Sequence, residues 1–182
     1  MKRLQANEEA LLEAKKILKA GGVIIFPTET VYGIGTSVNS DLGVKRIYKI
    51  KNRSEEKLLQ ILISNPVQLN NLVVSIPEIA RTLIKKYWPG PLTLIFKKIG
   101  DGTVGIRMPN HKVALELIND CGPLYATSAN ISGQSAPTSA DEVTIKADLL
   151  LDAGPCEIKE ASTVIDVTSA TPKVIRVGAI NV

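Results

Sequence analysis

The apolar residues of this 182-residue chain come in short runs, and five of those runs end in clusters of small, hydroxyl or cationic residues. The clusters are Pro27-Thr28-Glu29-Thr30-Val31-Tyr32-Gly33, Lys51-Asn52-Arg53, Thr103-Val104-Gly105-Ile106-Arg107, Ser128-Ala129-Asn130-Ile131-Ser132-Gly133 and Ser162-Thr163-Val164-Ile165-Asp166. No run approaches the roughly 18 apolar residues that a membrane helix needs. Polar clusters at strand ends supply side-chain donors, and short loops supply backbone N–H groups. A domain holds a polyanionic ligand in this way. Five such clusters in one small domain argue for a single shared pocket.

The segments between them read as alternating helices and strands. Asn7 is placed to cap a helix with Glu8 and Glu9 in its first turn and Lys15, Lys16 and Lys19 in its last, the order a helix dipole favours. Leu11, Ala14, Ile17 and Leu18 give that helix one apolar stripe, and Gly21-Gly22 ends it. Further helices are predicted over 41–50, 77–87 and 111–119, and Ser139 with Glu142 predicts a capping box on a short one. Strands are predicted over 23–26, 58–63, 92–96, 104–107, 124–127, 149–152, 163–167 and 173–177. Trp88-Pro89-Gly90-Pro91 reads as a rigid turn, and 133–138 as a mobile loop.

Helices and strands are interspersed without the strict βαβ period of a doubly wound sheet. The expectation is therefore an α/β (α+β) chain forming a single domain over 1–182, with a large twisted mixed parallel/antiparallel sheet flanked by helices. The last four strands have little helix between them, which predicts an antiparallel part. Aromatics are only 4% of the chain, so the core must be built from Ile, Leu, Val and Ala. Cys121 and Cys156 are far apart and in no C-x-x-C pattern. That argues against a disulfide framework or zinc site and for a reducing compartment. With a charged N-terminus, this makes the cytoplasm the expected location, with no membrane contact.

The chemistry is narrowed by what is missing. There is no G-x-x-x-x-G-K-[ST] loop and no G-x-G-x-x-G after a strand. A bound nucleotide must be held another way. His111 is the only histidine, and at a helix start it reads as a surface or cap residue. Ser-His-Asp and Cys-His arrangements are thereby disfavoured, and metal-ligand spacing is absent. Lys51 and Arg53 read either as cations suiting a helix C-terminus or as a clamp for phosphates, with Lys57 nearby. Arg107 reads as a surface residue at a strand end or as a bidentate holder of a carboxylate, with Thr103 beside it. Ser128 and Asn130 read as turn residues or as donors facing a ligand. A net charge of +4 fits plain solubility, or attraction to nucleotide phosphates or RNA.

Taken in order, these segments resemble the YrdC/TsaC family. The resemblance rests on Gly21 to Gly33, Lys51-Asn52-Arg53, Trp88-Pro89-Gly90-Pro91-Leu92-Thr93, Arg107-Met108-Pro109, Ser128-Ala129-Asn130 and Ser162-Thr163-Val164, and runs from about Gly21 to Ile180. It implies a threonylcarbamoyl-AMP synthase with a concave basic cavity. Such an enzyme joins L-threonine, bicarbonate or carbon dioxide, and ATP into threonylcarbamoyl-adenylate, releasing pyrophosphate and water, with Mg²⁺ as the expected companion of ATP. Partner proteins of a threonylcarbamoyl transferase complex then modify an adenosine of tRNA, which makes tRNA a possible contact. Carried over by position, Lys51 and Arg53 would be catalytic. Lys51, Arg53, Lys57, Thr103, Ser128, Asn130 and Arg176 would bind ATP. Thr30, Arg107 and Ser162 would bind threonine, and no residue would hold a metal. The chain departs from the family pattern at Ser54, Leu62, Ala136, Ala161 and Val177. Two other readings stay open: an RNA-binding module without ATP turnover, poorly supplied with aromatics for base stacking, and a carbamoyl-adenylate enzyme like the related domain of hydrogenase maturation proteins.

Overall fold

A computed structural model describes all of residues 1–182. In chain order its strands are β1 (Lys2–Gln5), β2 (Ile24–Phe26), β3 (Gly33–Ser37), β4 (Gln60–Leu62), β5 (Leu92–Lys97), β6 (Thr103–Arg107), β7 (Leu124–Ser128), β8 (Leu149–Asp152), β9 (Thr163–Asp166) and β10 (Lys173–Arg176). Its helices are α1 (Glu8–Lys19), α2 (Asp41–Lys51), α3 (Glu78–Tyr87) and α4 (Lys112–Cys121). All ten strands join one sheet in the order β1-β8-β2-β3-β7-β4-β6-β5-β9-β10. Its pairings mix the two senses: β1/β8, β2/β8, β4/β6 and β5/β9 are parallel, and the rest are antiparallel. The expected mixed sheet is present. Of the last four strands, however, only β9 and β10 pair with each other; β7 and β8 are inserted beside earlier strands.

Local chemistry explains the helices. Asn7 accepts from the Ala10 N–H at 2.9 Å and caps α1. Ser40 accepts from the Gly43 N–H and caps α2, which ends where Asn52 turns left-handed at φ 49°. α1 and α4 lay their apolar stripes on one face of β2 and β8, forming a cluster around Leu18, Phe26, Leu117 and Leu149. Val23, Ile25, Tyr32 and Ile47 pack on the opposite face under α2. A third cluster, holding Leu83, Trp88, Leu94, Phe96 and Ile106, covers one face of the β4-β6-β5-β9 half.

Several expectations are corrected. β1 was not foreseen because its residues are mostly exposed at a sheet edge; Asp152 holds it there by accepting from Arg3 and Gln5. β3 was hidden by its glycines, yet a Cβ on Gly35 would lie 2.9 Å from the Tyr125 carbonyl and 3.0 Å from the Phe26 ring. The Ser139–Glu142 capping box does not form. The Ser139 side chain caps nothing, and Glu142 instead accepts from the Thr138 N–H and hydroxyl. A box forms elsewhere, where Asn65 and Gln68 start a 3-10 turn over Pro66–Asn71. The 133–138 loop is tied down at several points. The Tyr32 N–H donates to the Pro137 carbonyl at 2.8 Å, the Cys156 N–H to Thr138 at 2.7 Å, and the Asn130 amide to Gln134 at 2.8 Å.

Candidate active site

Strand alternation builds the site. On β5, Leu92, Leu94 and Phe96 point into the third core cluster, so Thr93 and Ile95 face the other way. On β6, Val104 and Ile106 face the core, leaving Thr103, Gly105 and Arg107 on the opposite side. That opposite side is the floor of a cavity of about 470 Å³. Gln60 of β4, Ser128 of β7, Ser162 before β9 and Arg176 of β10 complete its walls, and Asn130, Gln134 and Ala136 form its rim. Gly105 sets its depth: a Cβ there would lie 3.2 Å from the Thr93 methyl and 3.7 Å from Gln60.

Segments from all five polar clusters reach this one cavity, through Val31, Arg53, Thr103, Gly105, Arg107, Ser128, Asn130, Ser162 and Val164. Three arginines, Arg53, Arg107 and Arg176, line it and no carboxylate does, so it favours an anion. The Arg53 guanidinium is aimed by donating from Nε to the Lys57 carbonyl at 2.8 Å and from Nη2 to the Leu58 carbonyl at 3.1 Å. Arg176 donates from Nε and Nη2 to the Ser162 carbonyl and from Nη2 to the Ser162 hydroxyl at 3.2 Å. Burial pushes the pKa of both arginines down, and Arg107 adds to that effect at Arg176. The Ser162 hydroxyl also shares a 2.9 Å hydrogen bond with Thr93.

Three expected residues do not line the cavity. Lys51 ends α2 only 1% exposed; its ammonium donates to the carbonyl of Ser128 and, at 2.6 Å, to that of Asn130. It is not the solvated helix-end cation of the simplest reading: the carbonyls of Ser128 and Asn130 cover it. Burial, and then the charge of Arg53, pushes its pKa down to about 8. Lys57 is exposed, and what it contributes locally is the backbone carbonyl that accepts from Arg53. Thr30 is fully buried, its hydroxyl 2.9 Å from that of Thr28, which in turn donates to the Val31 carbonyl.

Arg107 is present but differently from a free fork. It is 3% exposed; Nε donates to the Gly90 carbonyl at 3.1 Å, and Nη2 lies 2.7 Å from Glu29 Oε1. Nη1 is left without a protein partner, so Arg107 offers a ligand one nitrogen rather than two. The Trp88-Pro89-Gly90-Pro91 turn thus anchors this arginine, and a Cβ on Gly90 would meet the Tyr87 carbonyl oxygen at 2.4 Å. Sequence reasoning missed Gln60, Thr93 and Gln134 on the cavity wall. The alternation of β5 would have found Thr93; Gln60 and Gln134 carry no local signal. Among the departures from the family pattern, Ala136 and Ala161 line the cavity, whereas Leu62 is buried in the core on β4 and Val177 is exposed.

Residues 16–178 match the Sua5/YciO/YrdC family model, whose description reads "Telomere recombination". A protein of Mycobacterium tuberculosis is 36% identical over 97% of this chain and 88% of its own length. The threonylcarbamoyl-AMP synthase of Pyrococcus abyssi is 41% identical over 98% of this chain, which spans 56% of that protein. The solved structure of P. abyssi Sua5 complexed with L-threonine superposes with a TM-score of 0.89 at 39% identity, covering 97% of this chain and 56% of that one. The chain belongs to the Sua5/YciO/YrdC family.

Proposed function

We propose that this chain is a threonylcarbamoyl-AMP synthase, a nucleotidyltransferase that converts L-threonine, bicarbonate or carbon dioxide, and ATP into threonylcarbamoyl-adenylate and pyrophosphate. The observation that carries this reading is the convergence of three arginines and a row of hydroxyls from distant segments on one carboxylate-free cavity. The relatives named for this activity support it.

In this reading the threonine amine adds to carbon dioxide to give a carbamate, and a carbamate oxygen displaces pyrophosphate from the α-phosphorus. Negative charge gathers on phosphoryl oxygens and on the leaving group, so fixed cations are what the reaction needs. Arg53 and Arg176 supply them on the nucleotide side, with Thr103, Ser128 and Asn130 as polar contacts. Lys51 acts from behind, fixing the carbonyls of the Ser128–Asn130 loop, and Lys57 aims Arg53 through its carbonyl. Arg107 Nη1 and the Ser162 hydroxyl hold the threonine carboxylate, and Thr30 keeps the neighbouring turn in shape. Holding two substrates in one cavity supplies much of the acceleration without a covalent protein nucleophile. Mg²⁺ would be bound by the triphosphate and water; the residues here form no group of His, Cys, Asp or Glu suited to hold it, and no step is assigned to it.

The product would pass to a threonylcarbamoyl transferase that modifies tRNA. No helix is long and apolar enough to cross a membrane, and we place the reaction in the cytoplasm. The test is pyrophosphate release from ATP by purified protein. Release that requires both L-threonine and bicarbonate is expected. Release independent of threonine would overturn the substrate assignment, and salt-sensitive RNA binding without any release would favour an RNA-binding module.

A further inference from the structure

Of the five buried side-chain atoms without a hydrogen-bond partner, four sit in one place behind the cavity: both carboxylate oxygens of Glu29, Nη2 of Arg107 and Nδ1 of His111. Buried polar atoms rarely go unpaired; here Glu29 Oε1 and Arg107 Nη2 face each other as an ion pair, which leaves Glu29 Oε2 and His111 Nδ1 without a partner. Glu29 is 3% exposed and Arg107 likewise, and they approach to 2.7 Å off the hydrogen-bonding axis. The contact is therefore ionic rather than an aligned hydrogen bond. The backbone that carries Glu29 is held in place. Its carbonyl accepts from the Ile158 N–H at 2.8 Å, and the Thr28 hydroxyl accepts from the N–H groups of Thr30 and Val31, locking the turn on either side.

We propose that Glu29 is a positioning residue for the threonine carboxylate: by holding Nη2 of Arg107 against its own carboxylate, it leaves Nη1 as the nitrogen presented to the amino acid. This rests on the assignment of threonine to Arg107 made above. Gly90 fixes Nε from one side and Glu29 fixes Nη2 from the other, so the guanidinium plane is set before substrate arrives. Preorganisation of this kind lowers the cost of binding. A second effect opposes it, because a negative charge behind Arg107 weakens attraction for another carboxylate. The two effects predict opposite outcomes when that charge is removed, which makes the proposal decidable. His111 stands at the start of α4 without the side-chain cap its position suggested; it feels the Glu29 charge as well, although burial dominates and pushes its pKa down.

The experiment compares wild type, Glu29→Gln, Arg107→Ala and the double variant in the threonine-dependent pyrophosphate assay, with thermal unfolding on the same samples. Glu29→Gln is expected to raise the KM for threonine by about tenfold while leaving the KM for ATP within about twofold. In the Arg107→Ala background the same change is expected to add nothing, because Glu29 acts through Arg107. An unchanged or lowered threonine KM in Glu29→Gln, or additive effects in the double variant, would overturn the proposal. Should Glu29→Gln not fold, Glu29→Asp, which withdraws the carboxylate by one methylene, carries the same expectation and the same refutation. The unfolding data separate the two levels of inference. The double variant should melt above Arg107→Ala, since it no longer buries a lone carboxylate. If the variants show that melting order but wild type shows no threonine dependence, the substrate assignment and the positioning role that rests on it fail, while the buried ion pair stands.

Discussion

Gly178 lies outside the cavity, yet the structure makes it a sensitive point for the site. A Cβ there would sit 2.2 Å from the Ala161 carbonyl oxygen and 2.8 Å from the carbonyl carbon and oxygen of Ser162. The backbone of Gly178→Ala must therefore retreat by about 1 Å to reach ordinary contact distance. That retreat pulls on two hydrogen bonds, from the Ala179 N–H to the Ala161 carbonyl at 2.9 Å and from the Gly178 N–H to the Thr163 hydroxyl at 3.1 Å. Each is worth about 1 kcal/mol, and the residual overlap costs about 1 kcal/mol more, together about 3 kcal/mol. In a domain of this size the melting temperature should fall by about 6–12 °C. Because Ser162 holds Arg176 through both its carbonyl and its hydroxyl, turnover should drop as well. Thermal unfolding by circular dichroism, with Gly133→Ala as the comparison, reads the effect. Gly133 has φ +90° but no atom within 4 Å of its Cβ position, so its substitution meets only backbone strain of about 1–2 kcal/mol. A Gly178→Ala protein melting within about 2 °C of wild type, or above Gly133→Ala, would refute the packing argument.

Arg53→Ala should raise the KM for ATP by at least about tenfold and leave the melting temperature nearly unchanged, since its own contacts are to two exposed-loop carbonyls; a normal ATP requirement would remove it from the phosphate side. Arg107→Ala should raise the threonine KM by at least about tenfold with little effect on ATP, and equal losses for both substrates would contradict the division of the cavity. For Lys51, the folded pKa of about 8 lies below the ordinary 10.5, so between those values the unfolded chain binds the extra proton. Wild-type stability should therefore rise with pH through that window, whereas Lys51→Met should lack the rise. Urea titrations at about pH 7.5 and pH 10 test this, and parallel behaviour of the two proteins would show that folding does not lower the Lys51 pKa.

Much was legible in the sequence, for reasons that can be named. Helix ends announce themselves through local chemistry, so Asn7 and Gly21-Gly22 bracketed α1, and short apolar runs announced β5 and β6. The five polar clusters pointed to one pocket because each puts small, hydroxyl or cationic residues on or beside the end of a helix or strand. β1 and β3 were not legible: an exposed, charged edge strand and a glycine-rich central one lack the apolar pattern, and only pairing with β8 and β7 makes them strands. Likewise, nothing local told the unused Ser139–Glu142 box from the formed Asn65–Gln68 box, because the partner of Glu142 is decided by how the loop at Thr138 is tied to Cys156.

The division is clearest at the cationic residues. Sequence determined that Lys51, Arg53, Arg107 and Arg176 are the cations near strand and helix ends, since charge and chain position are local properties. Their accessibility is not local. Whether an ammonium meets solvent, a ligand or a carbonyl depends on which distant segment crosses it. The Ser128–Asn130 loop closes over Lys51, Glu29 and Gly90 bracket Arg107, and Ser162 steers Arg176, all contacts between residues far apart in the chain. Tertiary structure alone therefore decided which cations face the cavity and which one holds up its wall.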